Sequence, residues 1–238
     1  EITNVSGNNT FSGDIIVSLG TQWGVQSGSL ELQGNFYGAG TTTRTLTKLG
    51  AGELVISGTH TGLAGTGSLG NPRNAINAAN ITVQAGTLTF RNNSAGGTGE
   101  WVGGTGVVGF LVDPGATLKL DNSLGVNNNR IGATAPIDVE GGEFDIVGNP
   151  TTSVTQAGGN ITVGSYSTLT VNQPTTGNAS TTTLALGAIN RSNHGTALIR
   201  GMFAGKQGVV QEVDAKGGLR VLVGKVAVKL GAEDVQKS

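Results

Sequence analysis

The sequence predicts an all-β fold, a parallel β-helix, on three observations. Short apolar pairs recur along the chain at a steady period, glycine-bearing breaks separate them, and no segment reads as a long helix. Of 238 residues 42 are Gly and 5 Pro, aromatics make up 4%, and one Met occurs. Gly is thus well over twice its usual ~7% share, and each Gly in a helix interior costs ~1 kcal/mol relative to Ala. No apolar pattern at i, i+3, i+4, i+7 is sustained. Hydrophobic residues still reach 36% against 12% charged, a balance that opposes disorder. They are mostly small aliphatics, which suit a narrow interior.

The rungs follow in order. Residues 23–32, 81–90, 111–120 and 137–146 each hold an apolar pair, a break and a second apolar pair, and residues 161–163 and 169–171 repeat the theme. The key valines are Val25, Val83, Val112, Val139 and Val163, at steps of 58, 29, 27 and 24. The first step is twice the second, and residues 46–56 supply the rung inside it. Repeats of this length signal a solenoid. Parity adds a second argument. Side chains alternate along a strand, so core residues of one strand lie an even number apart. Val83 to Leu88, Val25 to Leu30 and Val139 to Phe144 are odd steps, so the chain turns a corner between them, at Gly86, Gly28 and Gly141-Gly142. From Val112 to Leu118 the step is even, and Pro114-Gly115 supplies the corner. One rung cannot bury its own inward face; its neighbours do so. Outward positions such as Thr82, Thr87, Thr89, Asp138, Glu143 and Thr162 are polar and often β-branched.

The chain end differs. Leu219, Val221 and Val223 alternate, as do Val226, Val228 and Leu230, with Gly224-Lys225 suiting a two-residue hairpin. The expected organisation is a β-helix over 1–218, a hairpin over 219–230 that covers the open edge of the last rung or is an incidental terminal pair, and a frayed tail over 231–238.

Net charge is −1 and no basic stripe is present, so nucleic acid is not an expected partner. Absence of Cys removes disulfides, thiol catalysis and Cys-based metal sites. No apolar run is long enough for a membrane-spanning helix. The chain opens at Glu1 without a signal peptide, which reads as a fragment or a mature form.

Two stretches resemble a known family. Residues 6–13, SGNNTFSG, followed by Gly28-Ser29-Leu30, resemble the SGxNTYxG…GTL signature of the autotransporter-associated β-strand repeat (passenger-associated transport repeat). Residues 46–58, LTKLGAGELVISG, resemble its LxKxGxGxLxLSG pattern, and residues 81–88 its VxxGTL end. The motif positions are Gly28, Leu30, Gly50, Gly52, Leu54, Ser57, Gly58, Val83, Gly86 and Leu88. His60-Thr61-Gly62 departs from the usual aromatic-Thr-Gly. The resemblance covers about residues 6–90 and continues through 100–200 as rung pattern alone; residues 184–192 also look like segments of large surface proteins carrying this repeat. It implies a right-handed parallel β-helix, exported to the bacterial cell surface, without catalytic residues or cofactors to carry over.

Candidate sites are few. Residues 65–70 match GxGxxG, but the dinucleotide fingerprint needs a helix after it, and Pro72 with Asn-rich sequence follows; a loop is expected. Asp138, Glu140, Glu143 and Asp145 form the densest carboxylate group, with Arg130 as the nearby cation in sequence. A solvated outer face is the plainer reading, a Ca²⁺ site the other. His60 and His194 lie in no metal spacing; the first is expected to pack at a corner and the second to sit in a turn. Arg191, Arg200 and Lys206 read as solvated loop cations.

The expected function is a non-catalytic structural or adhesive module of a secreted or cell-surface protein, contacting glycans or neighbouring cell-surface components. The alternatives are a polysaccharide-acting lyase or hydrolase on the same scaffold, which needs converging carboxylates, and an ice- or crystal-surface binder using ranked threonines such as Thr87, Thr89, Thr168 and Thr170.

Overall fold

The structure is a computed structural model. It describes residues 2–17, 20–34, 36–38, 44–58, 78–91, 109–128, 130–131, 133–173 and 180–201, and the strands Val209–Val213, Leu219–Val223 and Val226–Leu230. His60, the glycine motif at 65–70, Lys206, the turn at 224–225 and the tail at 231–238 lie outside these residues.

Two eight-stranded parallel sheets dominate the unit Glu1–Ile199. Each coil of chain contributes one strand to each. The first sheet comprises Ile2–Asn4, Thr21–Val25, Arg44–Leu49, Ala78–Val83, Gly109–Val112, Ile137–Glu140, Ile161–Gly164 and Ile189–Arg191. The second comprises Asn8–Phe11, Ser29–Leu32, Glu53–Ile56, Thr87–Arg91, Thr117–Asp121, Glu143–Val147, Tyr166–Asn172 and Thr196–Gly201. A third wall returns the chain to the first sheet. It carries shorter parallel pairs, Ile15–Val17 with Phe36–Gly38 and Val154–Ala157 with Thr182–Ala185. No helix occurs among the described residues, and none there is long and apolar enough to cross a membrane. The chain is a β-solenoid.

Parallel pairing in constant register turns sequence alternation into columns. In the second sheet Leu30, Leu54, Leu88, Leu118, Phe144 and Leu169 stack inward, as do Leu32, Ile56, Phe90, Leu120 and Ile146. In the first sheet Leu46, Ile81, Phe110, Ile137 and Ile161 form one column. All these side chains are buried, and each fully buried aliphatic contributes about 1.5–3 kcal/mol. Phe90 and Phe110 meet edge-on across the interior, with centroids 6.1 Å apart.

One expected alignment needs correction. Val83, Val112, Val139 and Val163 do share a column, but Val25 does not join it. That column runs from Val83 to Lys48 and then Trp23. Val25 instead pairs with Asn4, one step nearer the corner. Spacing alone could not separate the two placements, because Trp23 and Val25 have the same parity and both are buried.

The second unit, Arg200–Ser238, holds a three-stranded antiparallel sheet. Leu219–Val223 pairs with Val226–Leu230 as a hairpin, Val223 opposite Val226, and Val209–Val213 pairs on the other side of Leu219–Val223.

Candidate functional site

Corners between the first and second sheets recur in every coil, and their chemistry is built from backbone carbonyls. Gly7, Gly28, Gly50, Gly86, Gly115 and Gly141 all have positive φ there, a conformation that a Cβ opposes. Space is short as well. A Cβ on Gly28 would lie 2.3 Å from the Gly7 carbonyl oxygen, and one on Gly52 2.6 Å from Val25 Cγ1. Gly58 sits in a comparable squeeze at the far end of the same coil, 2.2 Å from the Gly34 carbonyl oxygen.

These turns leave inward-facing carbonyls that need donors. Three different side chains provide them. Asn4 Nδ2 donates to the carbonyls of Gly7, Ser27 and Ser29 at 3.1–3.3 Å. Ser167, fully buried, has its hydroxyl 2.6 Å from both the Val139 and the Gly164 carbonyl oxygens. Lys48 is the third and the most unusual. Its side chain is 1% exposed, and its ammonium donates to the carbonyls of Leu49 (2.9 Å), Gly50 (2.7 Å) and Ala85 (2.9 Å). Burial pushes its pKa from 10.5 down to about 8. Sequence reasoning passed over Lys48, although a signal existed: it stands two residues from the buried Leu46, so alternation points it inward.

The outer face of the second sheet carries a charged strip. Arg91 reaches Glu31 (3.5 Å) and Asp121 (3.9 Å). Glu31 also accepts from Ser57 Oγ at 2.6 Å. Lys119 stands opposite Asp145 in register, and Asn172 donates to Asp145 at 2.8 Å. Burial raises the Asp145 pKa to about 6; Glu143 and Asp121 add to the rise, while Lys119 and the Asn172 bond oppose it.

The four carboxylates grouped in sequence therefore part company. Asp138 and Glu140 lie on the first sheet, Glu143 and Asp145 on the second. Asp138 is exposed, and Glu140 accepts from Ser192 Oγ at 2.9 Å. Among the described residues no three His, Cys, Asp or Glu side chains are placed to share a metal ion. Arg130 joins none of the four. It is 2% exposed in the third wall, bonded to Asn122 Oδ1 (2.9 Å) and the Gly125 carbonyl (2.7 Å). The cation beside Asp145 is Lys119, one repeat earlier, which sequence proximity hides. The threonine ranks are broken too. Thr89 and Thr170 are 1% and 8% exposed, and their hydroxyls bond Glu53 and Glu143. Of the loop cations, Arg191 bonds the Gly195 carbonyl at 2.9 Å, while Arg200 is exposed. His194 is exposed in the corner turn before Thr196.

This architecture sets the comparison with known proteins. The chain is similar to an autotransporter adhesin. Over 212 residues it is 29% identical to a protein described as "Adhesin BmaC autotransporter" from Brucella suis biovar 1 (strain 1330), an alignment covering 79% of this chain and 6% of that protein. The chain thus spans a small fraction of the length of this relative. No protein-family model matches it, and no solved structure matches it. The similarity is to an autotransporter adhesin broadly and does not show one named repeat family.

Proposed function

We propose that this chain is a structural, adhesive segment of a secreted or cell-surface bacterial protein, without catalytic activity, and that its autotransporter-associated repeats supply the coils. The observation that carries the reading is the pair of in-register eight-stranded parallel sheets in a chain similar to an adhesin autotransporter. Stacked coils make a scaffold whose side faces and corners are free to contact glycans or neighbouring cell-surface components. The motif residues Gly28, Gly50, Gly52 and Gly86 serve its corners, Gly58 the far end of its coil, Leu30, Leu54, Val83 and Leu88 its interior, and Ser57 its outer face. Display of the 238-residue chain on a non-adherent bacterium tests it: attachment to cultured cells should rise several-fold over an empty display carrier. Attachment at the carrier's level removes the adhesive role.

One observation favours the enzymatic reading. Asp145, a carboxyl that titrates near 6, stands with Lys119, Glu143 and Asp121 on one outer face, and glycoside cleavage uses a protonated and an ionised carboxyl together. Incubation with a panel of polysaccharides decides it. Turnover abolished by Asp145→Asn and Glu143→Gln would replace the adhesive reading with this one.

A further inference from the structure

We infer that the corner of the last two coils of the solenoid, residues 165–166 and 192–195, is a preorganised contact ridge that presents Tyr166 and His194 to a carbohydrate; this rests on the adhesive reading above and names its ligand class.

Six successive coils make the turn between the sheets with a glycine at positive φ: Gly7, Gly28, Gly50, Gly86, Gly115 and Gly141. In the seventh coil Ser165 takes that conformation at φ 48°, and in the eighth Asn193 and His194 take it at 46° and 58°. These are the described non-glycine residues with positive φ. Left-handed backbone is unfavourable for residues with a Cβ; Asn and His tolerate it better than Ser. The same fold solves the same turn with glycine six times, so packing does not require a side chain here.

Such a conformation persists only where its surroundings hold it, and here they do. Beneath the seventh corner Ser167 Oγ is bonded to the Val139 and Gly164 carbonyls. Around the eighth, Ser192 Oγ donates to Glu140 and Arg191 Nε to the Gly195 carbonyl. Ser192 N and Thr196 N donate to the Val163 and Ser165 carbonyls of the coil before, tying the two corners together. What the held turns display is polar and aromatic. Tyr166 is 77% exposed, more than any other described large hydrophobic side chain. Asn193 and His194 are exposed in the turn of the next coil, just before Thr196, whose N–H bonds the Ser165 carbonyl beside Tyr166; adjacent coils stack about 4.8 Å apart. An open phenol ring offers an apolar face for the C–H side of a pyranose and a hydroxyl at its tip. The neighbouring amide and imidazole offer a donor and an acceptor each for sugar hydroxyls. The ridge carries no carboxylate of its own, and Glu140 is engaged by Ser192. Neutral hexopyranosides suit this chemistry.

The test uses the 238-residue chain on an array of glucose-, galactose- and mannose-terminated oligosaccharides, with thermal unfolding in parallel. Tyr166→Ala should weaken binding at least tenfold at unchanged Tm, and Tyr166→Phe should stay within about threefold of the parent. Ser165→Gly should raise Tm by about 2–4 °C, as relief of about 1 kcal/mol does in a domain of this size, while weakening binding. Equal binding by Tyr166→Ala and the parent would overturn the site. Failure of the parent to bind any oligosaccharide would overturn the ligand class. If the displayed parent still attaches to cells in that case, the adhesive reading stands and this inference alone falls.

Discussion

At the scale of single residues, Lys48 and Asp145 show opposite solutions to placing charge on a slim fold. Lys48 fills a core slot that Val83, Val112, Val139 and Val163 fill elsewhere, and its ammonium is consumed by three carbonyls. Lys48→Met keeps the stem but strands those acceptors. It should cost about 2–3 kcal/mol, read as a lowered denaturant midpoint at pH 7. The pH dependence has a definite sign. The unfolded lysine keeps its proton to 10.5 and the folded one to about 8, so the unfolded state binds more protons between those values. Stability from this group therefore rises with pH across that window, and Lys48→Met should remove the rise. Asp145 behaves in the reverse sense. Its folded carboxyl holds a proton to about 6 against 3.8 unfolded, so its contribution is full below 3.8, falls as pH rises between those values and is lost above about 6. Asp145→Asn should match the parent at pH 3.5 and exceed it at pH 7 by no more than about 1–2 kcal/mol once solvent screening is allowed for. A less stable variant at pH 7 would contradict this.

At the scale of elements, the corners decide which substitutions the fold tolerates. Gly28 and Gly115 have nearly the same φ, +71° and +76°, but a Cβ on Gly28 meets the Gly7 carbonyl and one on Gly115 meets nothing within 4 Å. Gly115→Ala should cost about 1 kcal/mol, the conformational penalty alone. Gly28→Ala should cost at least twice that, because the backbone of the adjacent coil must move. Urea titration of the two variants separates them, and equal costs would mean that the coils slide freely. Corner glycines and aliphatic columns were legible in the sequence because both leave periodic marks: Gly86 splits Val83 from Leu88 at an odd step, and Leu30, Leu54 and Leu88 each stand two residues after a glycine, Gly28, Gly52 and Gly86. The third wall left no such mark. Asn122, Asn149 and Gln156 are buried there through hydrogen bonds such as Asn149 Nδ2 to the Asn122 carbonyl, and buried polar residues have no hydropathy period to read. The charged strip was half legible. Glu143 and Asp145 stood out as neighbours, but Lys119 and Arg91 reach their partners across coils, and that needs the register.

At the scale of the whole molecule, stability is shared between neighbouring coils and falls where one side of a coil is less covered. Val112, Leu118, Val139 and Phe144 are fully buried, whereas Ile189, Leu198 and Ile199 are 42–43% exposed. Amide exchange should follow that order, slowest over 110–147 and faster by an order of magnitude or more over 189–201. Uniform protection along the chain would instead indicate one all-or-none unit.

The coil also divides its freedom unequally. Between a first-sheet strand and the second-sheet strand that follows, one to four residues intervene; between a second-sheet strand and the next first-sheet strand, nine to twenty-one do. Closing a longer excursion costs only about 0.6 kcal/mol per doubling of its length, while one extra residue in a strand would turn its whole apolar set outward. New sequence is therefore cheap to splice along one flank of this molecule and ruinous along the others, so a lineage under pressure to change what it shows the outside can rewrite that flank and leave its skeleton alone.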